Sequence, residues 1–323
     1  MSTPNPKKQP RPKRRTECYD VADSHLHGLK SHSRLANILY WAGTPSQLKT
    51  FSRREDNYSR YTDKSKAGKE RLIEAPAERL KVFQARILDL LSRIKLPDYV
   101  HSGRIGRSYL SNSAAHCSAD GCTITMDIEG FYQSVTLQRV ARFFEVWLKC
   151  SPDVSLTLAH LLCCDWHLAT GSPASPLMSF WAYREVFDAI DSRVRARGGV
   201  FTLYIDDMAI TGKGFGHTDV QWVRRLLLRA GLRIKETKTR VFRADGPKLV
   251  TGRAMRDGVS RAPNKQHRKM RHAQALLDTN PNDSTLRASV AGHRRHLALL
   301  DDARRGQHRA EATRVAKPNQ GRS

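Results

Sequence analysis

The chain has 323 residues, 39% of them hydrophobic, with 56 Lys and Arg against 31 Asp and Glu and a formal net charge of +25. That apolar content is enough for one large core or two modest ones and excludes a chain disordered throughout, while the cationic excess points to a polyanionic partner, nucleic acid first, because neutralised phosphates release condensed counterions. No run of about 18 apolar residues and no long amphipathic face with clustered aromatics is present, so membrane binding is not expected.

Residues 1–16 combine Pro with six basic residues and hold nothing to bury, which predicts a disordered basic arm. No apolar stretch of the kind a secretion signal needs follows it, so a cytoplasmic location is expected. Leu26, Leu29, Leu35, Ile38 and Leu39 recur at helical spacing and predict two short helices before Phe51. Polar residues then run to Lys69, RLIEAP reads as an extended segment halted by Pro76, and ERLKVFQARILDLLSRI as an amphipathic helix. CTITMDI is strand-like, LQRVARFFEVWLKC and PLMSFWAYREVFDAIDSRV each read as one helix, and GVFTLYI with MAITG as a strand pair around Asp206-Asp207. VQWVRRLLLRAGL is a helix stopped at Gly231, LRIKE and TRVFR two short strands, and past Ser260 the Arg- and His-rich sequence predicts a small basic helical domain. The six cysteines have neither metal-site spacing nor the density of a disulfide scaffold and read as reduced thiols, mostly core filler.

In so basic a chain, acidic residues inside apolar strands need a reason, since a buried unpaired carboxylate is costly. Asp127 closes TITMD, and Asp206 and Asp207 interrupt LYIDDMAI, about eighty residues away, so no local ion pair accounts for both. Adjacent strands that gather the three carboxylates around divalent cations would offset their repulsion, and such a site transfers phosphoryl groups. Asp301-Asp302 serves as an internal control, because it lies in a polar stretch beside Arg304 and Arg305 and reads as a solvated face.

These motifs resemble the reverse transcriptase family, in order along about residues 60–260. YIDD is similar to its Tyr-x-Asp-Asp box, MDIEGFYQSV to the strand that begins with the metal-binding Asp, LATGSPASP to the Leu-Pro-Gln-Gly-x-Pro-x-Ser-Pro box, and KERLIEAP to a triphosphate-contacting segment. The resemblance implies an α+β right-hand polymerase: N-terminal helices and fingers over residues 17–119, a βαββαβ-like palm over 120–255, and a small basic helical thumb and tail over 256–323. It implies that Asp127, Asp206 and Asp207 hold two Mg2+ ions, for which Mn2+ is able to substitute. Lys69 and Arg71 would grip the triphosphate of an incoming deoxynucleotide, with ordinary surface cations as the plainer reading. Tyr132 would be the aromatic gate against a ribose 2′-hydroxyl, Thr170 and Gly171 would lie at the nucleotide, and Lys238 would act as an acid near the pyrophosphate. Ala169 and Thr170 stand where the family has Pro and Gln, which puts rate, fidelity or ribose contact in doubt.

Two elements resemble bacterial retron enzymes: Asn112-Ser113-Ala114-Ala115-His116, similar to Asn-Ala-x-x-His, and Val250-Thr251-Gly252. That resemblance implies a structured noncoding RNA bound through Asn112, His116, Val250, Thr251 and Gly252, branched RNA-DNA as product, and a role in anti-phage defence with a separately encoded effector protein. An Asn112 and His116 that merely cap or brace a helix is the alternative. Two rivals stay open, another bacterial class such as an abortive-infection or diversity-generating enzyme, and an RNA-binding scaffold whose polymerase site is unused.

Overall fold

The computed structural model describes residues 18–64, 70–256 and 258–315, without the side chains of Lys64 and of residues 301–315. In chain order the strands are β1 (Tyr58–Lys64), β2 (Glu70–Pro76), β3 (Cys122–Asp127), β4 (Cys163–Cys164), β5 (His167–Leu168), β6 (Val200–Tyr204), β7 (Asp207–Gly212), β8 (Arg240–Phe242), β9 (Lys248–Val250), β10 (Arg253–Arg256) and β11 (Val259–Arg261). The helices are α1 (His32–Ile38), α2 (Pro45–Ser52), α3 (Glu78–Leu91), α4 (Tyr109–Ala114), α5 (Phe131–Ser134), α6 (Leu137–Arg142), α7 (Pro152–Leu162), α8 (Ser175–Ala182), α9 (Arg184–Ala196), α10 (His217–Arg229), α11 (Asn264–Thr279) and α12 (Ser284–Val315). Helices and several antiparallel sheets make this an α+β chain. No helix among the described residues is long and apolar enough to cross a membrane.

Two compact units divide the chain: Met1–Leu96 with Val135–Ala182, and Pro97–Ser134 with Tyr183–Ser323. In the first, α3 buries Leu80, Phe83, Ile87, Leu90 and Leu91, the spacing of an amphipathic helix, and α7 packs on α2, α3 and α6. Gln84 is wholly buried inside α3 and donates through Nε2 to the Tyr58 hydroxyl (2.7 Å) and the Leu161 carbonyl (2.9 Å). β1 and β2 form an antiparallel ribbon in which Arg60 faces Glu74 and Asp63 faces Arg71.

The second unit is built on a four-stranded antiparallel sheet of order β6-β7-β3-β8. Its strands and the helices α9 and α10 follow each other as strand, helix, strand, strand, helix, strand. α9 buries Phe187, Ile190 and Val194 and packs on β6. α10 opens where the Gly216 N–H donates to Asp219 (3.0 Å), and it closes at Gly231 in the left-handed region (φ 83), the conformation that glycine adopts at least cost. A second sheet, β11-β10-β9, adjoins the helical pair α11 and α12.

Several expectations need correction. The single helix read over residues 176–194 is two, interrupted at Tyr183, whose hydroxyl donates to the Ser134 carbonyl (3.0 Å). LQRVARFFEVWLKC stays α-helical only to Arg142, continues as a π-helical turn at Phe143–Trp147, and ends before Lys149 (φ 53). LRIKE is not a strand: Ile234 makes one bridge to Ile128 and Glu236–Lys238 is a 3-10 turn. β1, α4, α7, the β4-β5 hairpin and the β9-β10-β11 sheet were not foreseen. The six cysteines are free, as read, although Cys18 is exposed and Cys117 and Cys122 are half-buried. The basic arm, residues 1–16, lies outside the described residues.

Candidate active site

β3 and β7 pair so that Asp127, the last residue of one, faces Asp207, the first of the other. β6 and β7 close on Tyr204↔Asp207, leaving Ile205 and Asp206 as the two-residue turn. Such a turn requires positive φ, and here a β-branched residue supplies it: Ile205 sits at φ 59, a strained choice where glycine would be relaxed. Three contacts hold the turn in place. The Ile205 N–H donates to Ser102 Oγ (3.1 Å), the Ile128 N–H donates to the Asp206 carbonyl (3.0 Å), and the Lys235 N–H donates to the Asp127 carbonyl (2.7 Å). The strain is thus met by bonds that fix all three acids at one end of the sheet.

The electrostatics follow from that crowding. Burial, then the charges of Asp206 and Asp127, push the Asp207 carboxyl up to about 6, against which Lys238 pulls it down. Lys238 donates to Asp127 Oδ2, and this hydrogen bond raises the lysine above its ordinary value. Among the described residues no three His, Cys, Asp or Glu side chains converge as a metal-binding group. The donor set is nevertheless one that a hard divalent cation prefers, carboxylate oxygens without thiolate or imidazole, and the charges of Asp206 and Asp127, which add to burial in raising Asp207, are ones such an ion would balance.

Tyr132, on α5, is half-buried and stacks on Phe131 (ring centroids 6.3 Å apart). Burial, followed by the neighbouring Asp206 and Tyr204, pushes its phenol up, so its ring lies within electrostatic reach of the acids. A cleft of about 590 Å³ beside the carboxylates is lined by Asp127, Asp207, Lys238, Thr251 and Lys265 among others.

The retron-like elements meet one another. Asn112 Nδ2 donates to Thr251 Oγ1 (3.3 Å), and Thr251 Oγ1 donates to the Tyr109 carbonyl (2.9 Å). His116 bridges Thr211 Oγ1 (2.8 Å) and Thr202 Oγ1 (2.7 Å), and burial lowers its pKa to about 3, leaving it neutral. Asn112 and His116 are both 0% exposed and Val250 is buried, so the Asn112 amide nitrogen and both His116 ring nitrogens bond within the protein, while Asn112 Oδ1 is buried without a hydrogen-bond partner among the described residues. Thr251 (φ 40) and Gly252 (φ 78) form the left-handed turn between β9 and β10.

In the other unit, Thr170 and Gly171 are tied to β2. Thr170 Oγ1 accepts from the Glu74 N–H (2.9 Å) and donates to the Leu72 carbonyl (3.2 Å), and the Thr170 N–H donates to Glu74 Oε2 (3.1 Å). A Cβ on Gly171 would stand 2.5 Å from the Glu74 carbonyl oxygen, so glycine is required by close approach to β2. Arg71 is exposed on β2, and Lys69 lies outside the described residues. So do the side chains of Asp301 and Asp302, which fall within α12. Sequence reading missed Glu74, 1% exposed, which receives the Thr170 N–H and lies 2.9 Å from His167 Nε2. A lone Glu in a strand gave no sign of this.

Residues 62–274 match the family described as "Reverse transcriptase (RNA-dependent DNA polymerase)". Retron Se72 reverse transcriptase of Salmonella heidelberg (strain 579083-10) is 28% identical over 213 residues, 63% of this chain and 56% of the relative. Retron Mx65 reverse transcriptase of Myxococcus xanthus is 28% identical over 266 residues, 75% of this chain and 59% of the relative. Retron Mx162 reverse transcriptase, from the same organism, is 25% identical over 271 residues, 74% and 56% of the two chains. The matches thus span little more than half the length of these relatives.

Proposed function

The chain belongs to the reverse transcriptase family, and from that premise we propose that it is an RNA-directed DNA polymerase whose phosphoryl transfer takes place at Asp127, Asp206 and Asp207. The observation that carries the reading is the register of Asp127 against Asp207 beside a two-residue turn bearing Asp206, with Asp207 pushed up to about 6 by burial and then by the charges of Asp206 and Asp127. Asp127, Asp206 and Asp207 would hold the divalent cations, Mg2+ or Mn2+ in its place, and such ions would supply activation of a primer hydroxyl and charge neutralisation at the leaving pyrophosphate. Lys238, whose ammonium bonds to Asp127, would give a proton to that pyrophosphate, and this contact beside the acids supports the role. Tyr132 screens the sugar, and Lys69 and Arg71 grip the deoxynucleoside triphosphate. Thr170 and Gly171 serve the nucleotide through β2, to which both are bonded, and not through a free hydroxyl. Residues 17–119 act as fingers, 120–255 as palm and 256–323 as thumb.

The retron relatives support a narrower reading: a structured noncoding RNA as template, branched RNA-DNA as product, a cytoplasmic location, and anti-phage defence with a separate effector. The hydrogen bond between Asn112 and Thr251 favours the two retron-like elements acting as one joint, with RNA contact made by the surface this joint shapes. DNA recovered from cells carrying the gene tests this: an RNA-linked short single strand is expected, and unbranched DNA would refer the chain to another bacterial class. For the chemistry, Asp127→Asn and Asp206→Asn each abolish primer extension while RNA binding persists. If the wild type extends no primer but binds RNA, the unused-scaffold reading stands instead.

A further inference from the structure

A second cleft, of about 540 Å³, lies in the first unit where the end of α2, the start of β1, α7 and the β4-β5 hairpin come together. The hairpin turn is Asp165-Trp166, fixed by the pairing of Cys164 with His167, by the left-handed backbone of Asp165 (φ 53) and by the Leu137 N–H, which donates to the Trp166 carbonyl (2.8 Å). The backbone is therefore held while the Trp166 residue is 67% exposed. A large aromatic kept rigid in water forgoes its burial energy and lacks a structural role in this unit's core.

Cations line the same cleft. Arg60 Nη2 donates to Cys164 Sγ (3.3 Å) and pairs with Asp165, which sets its guanidinium beside the turn. Among the described residues the Arg54 side chain is held by the exposed pair with Asp56, the kind that gives way readily to another anion. Arg53 is exposed and has no acidic partner among the described residues. It faces His160, whose pKa burial and then the Arg53 charge push down. Arg54 pairs with Asp56 and Arg60 with Asp165, so Arg53 is the guanidinium of this cleft that a phosphate would meet without first displacing a carboxylate among the described residues.

The geometry points to this cleft as a binding site for single-stranded nucleic acid, one base stacking on Trp166 and the flanking phosphates meeting Arg53, Arg54 and Arg60. An aromatic platform accepts any base, and forked guanidinium donors match phosphate oxygens, whereas an apolar partner would leave the same guanidinium groups desolvated and unpaired. The inference rests on the polymerase reading only for its choice of RNA as ligand.

The test compares the full chain with Trp166→Ala, Trp166→Phe and Arg53→Gln, measuring by fluorescence anisotropy the affinity for a short unstructured single-stranded RNA and, separately, for a blunt duplex. Loss of one stacked base should weaken single-strand binding by about 5- to 150-fold in Trp166→Ala, with duplex affinity unchanged. Trp166→Phe, which keeps a ring face, should recover most of the loss. Arg53→Gln should lower the dependence of log K on log salt by about 0.7, and Trp166→Ala should leave that slope as it is. Wild-type single-strand affinity in Trp166→Ala, or an equal loss on both probes, overturns the proposal. Because these are binding measurements, a wild-type protein that extends no primer would sink the polymerase reading and leave this one standing.

Discussion

Replacing Asp207 with Asn should stabilise the metal-free protein near neutral pH, although it removes a charge the proposed chemistry needs. In the unfolded chain Asp207 releases its proton around 3.8, in the folded protein only around 6. At acidities below both values the two states hold the proton alike and the group costs nothing. As the pH rises from about 4 to about 6 the folded state is progressively penalised, and above that the full penalty applies. A displacement of about two pH units is worth at most about 3 kcal/mol. Asp207 keeps some contact with water and the site is able to relax, so about 2 kcal/mol is the expected gain for the neutral, isosteric Asn. With a urea dependence of about 3 kcal/mol per molar or more for a chain of this size, the unfolding midpoint should move up by roughly half a molar. Urea titrations followed by circular dichroism, with a chelator at neutral pH and again near pH 4, measure it. The advantage should shrink towards the acid end, and millimolar Mg2+ should narrow it by stabilising the wild type alone. An Asn variant no more stable than wild type at neutral pH, or one favoured equally at both, would refute the account of crowded carboxylates.

Lys238→Gln removes the ammonium from Asp127 and should slow primer extension by about 100-fold in single-turnover assays with binding of the primer-template unchanged; an unaltered rate would remove the proton-donor role. His116→Ala leaves the Thr202 and Thr211 hydroxyls without their bridge inside the core and should cost about 3 kcal/mol in thermal unfolding without RNA, whereas a surface RNA contact would cost almost nothing. The wild-type His116 should also make the protein less stable as pH falls below about 6.5, since only the unfolded chain takes up its proton in the window down to about 3. Gly171→Ala, which drives a Cβ against the Glu74 carbonyl, should destabilise the first unit by about 2 kcal/mol, read as a lower melting temperature, and normal melting would mean that β2 yields. Tyr132→Ala should raise ribonucleotide incorporation relative to deoxynucleotide, and an unchanged ratio in a folded protein would leave Tyr132 a purely structural ring.

The acids were legible because apolar strands framed them. TITMD and LYIDDMAI carry the alternation and β-branching of buried strands, and a carboxylate inside such a frame stands out. β1 was invisible for the opposite reason: from Ser59 to Asp63 it is exposed, so no apolar stripe marks it, and only its partner β2 makes it a strand. α7 escaped although Ser151 and Pro152 mark its start, because it buries Val154, Ser155, Thr157, Leu158, Ala159, Leu161 and Leu162, leaving no polar face to set a period. The two faces of the retron-like elements were equally hidden. Nothing in Asn112 or Thr251, 139 residues apart, says that they will hydrogen-bond to each other. Thr170 reads in sequence as a weakened nucleotide contact, and its commitment to the β2 backbone depends on a fold that local pattern does not encode.

The most direct test is incorporation of labelled deoxynucleotides by the purified chain on a primed RNA template with Mg2+, alongside Asp206→Asn and Asp301→Asn. The account predicts RNA-templated DNA synthesis that stops on chelation of the metal, is absent in Asp206→Asn and persists in Asp301→Asn. Synthesis by Asp206→Asn at the wild-type rate, or none by the folded wild type, would contradict it.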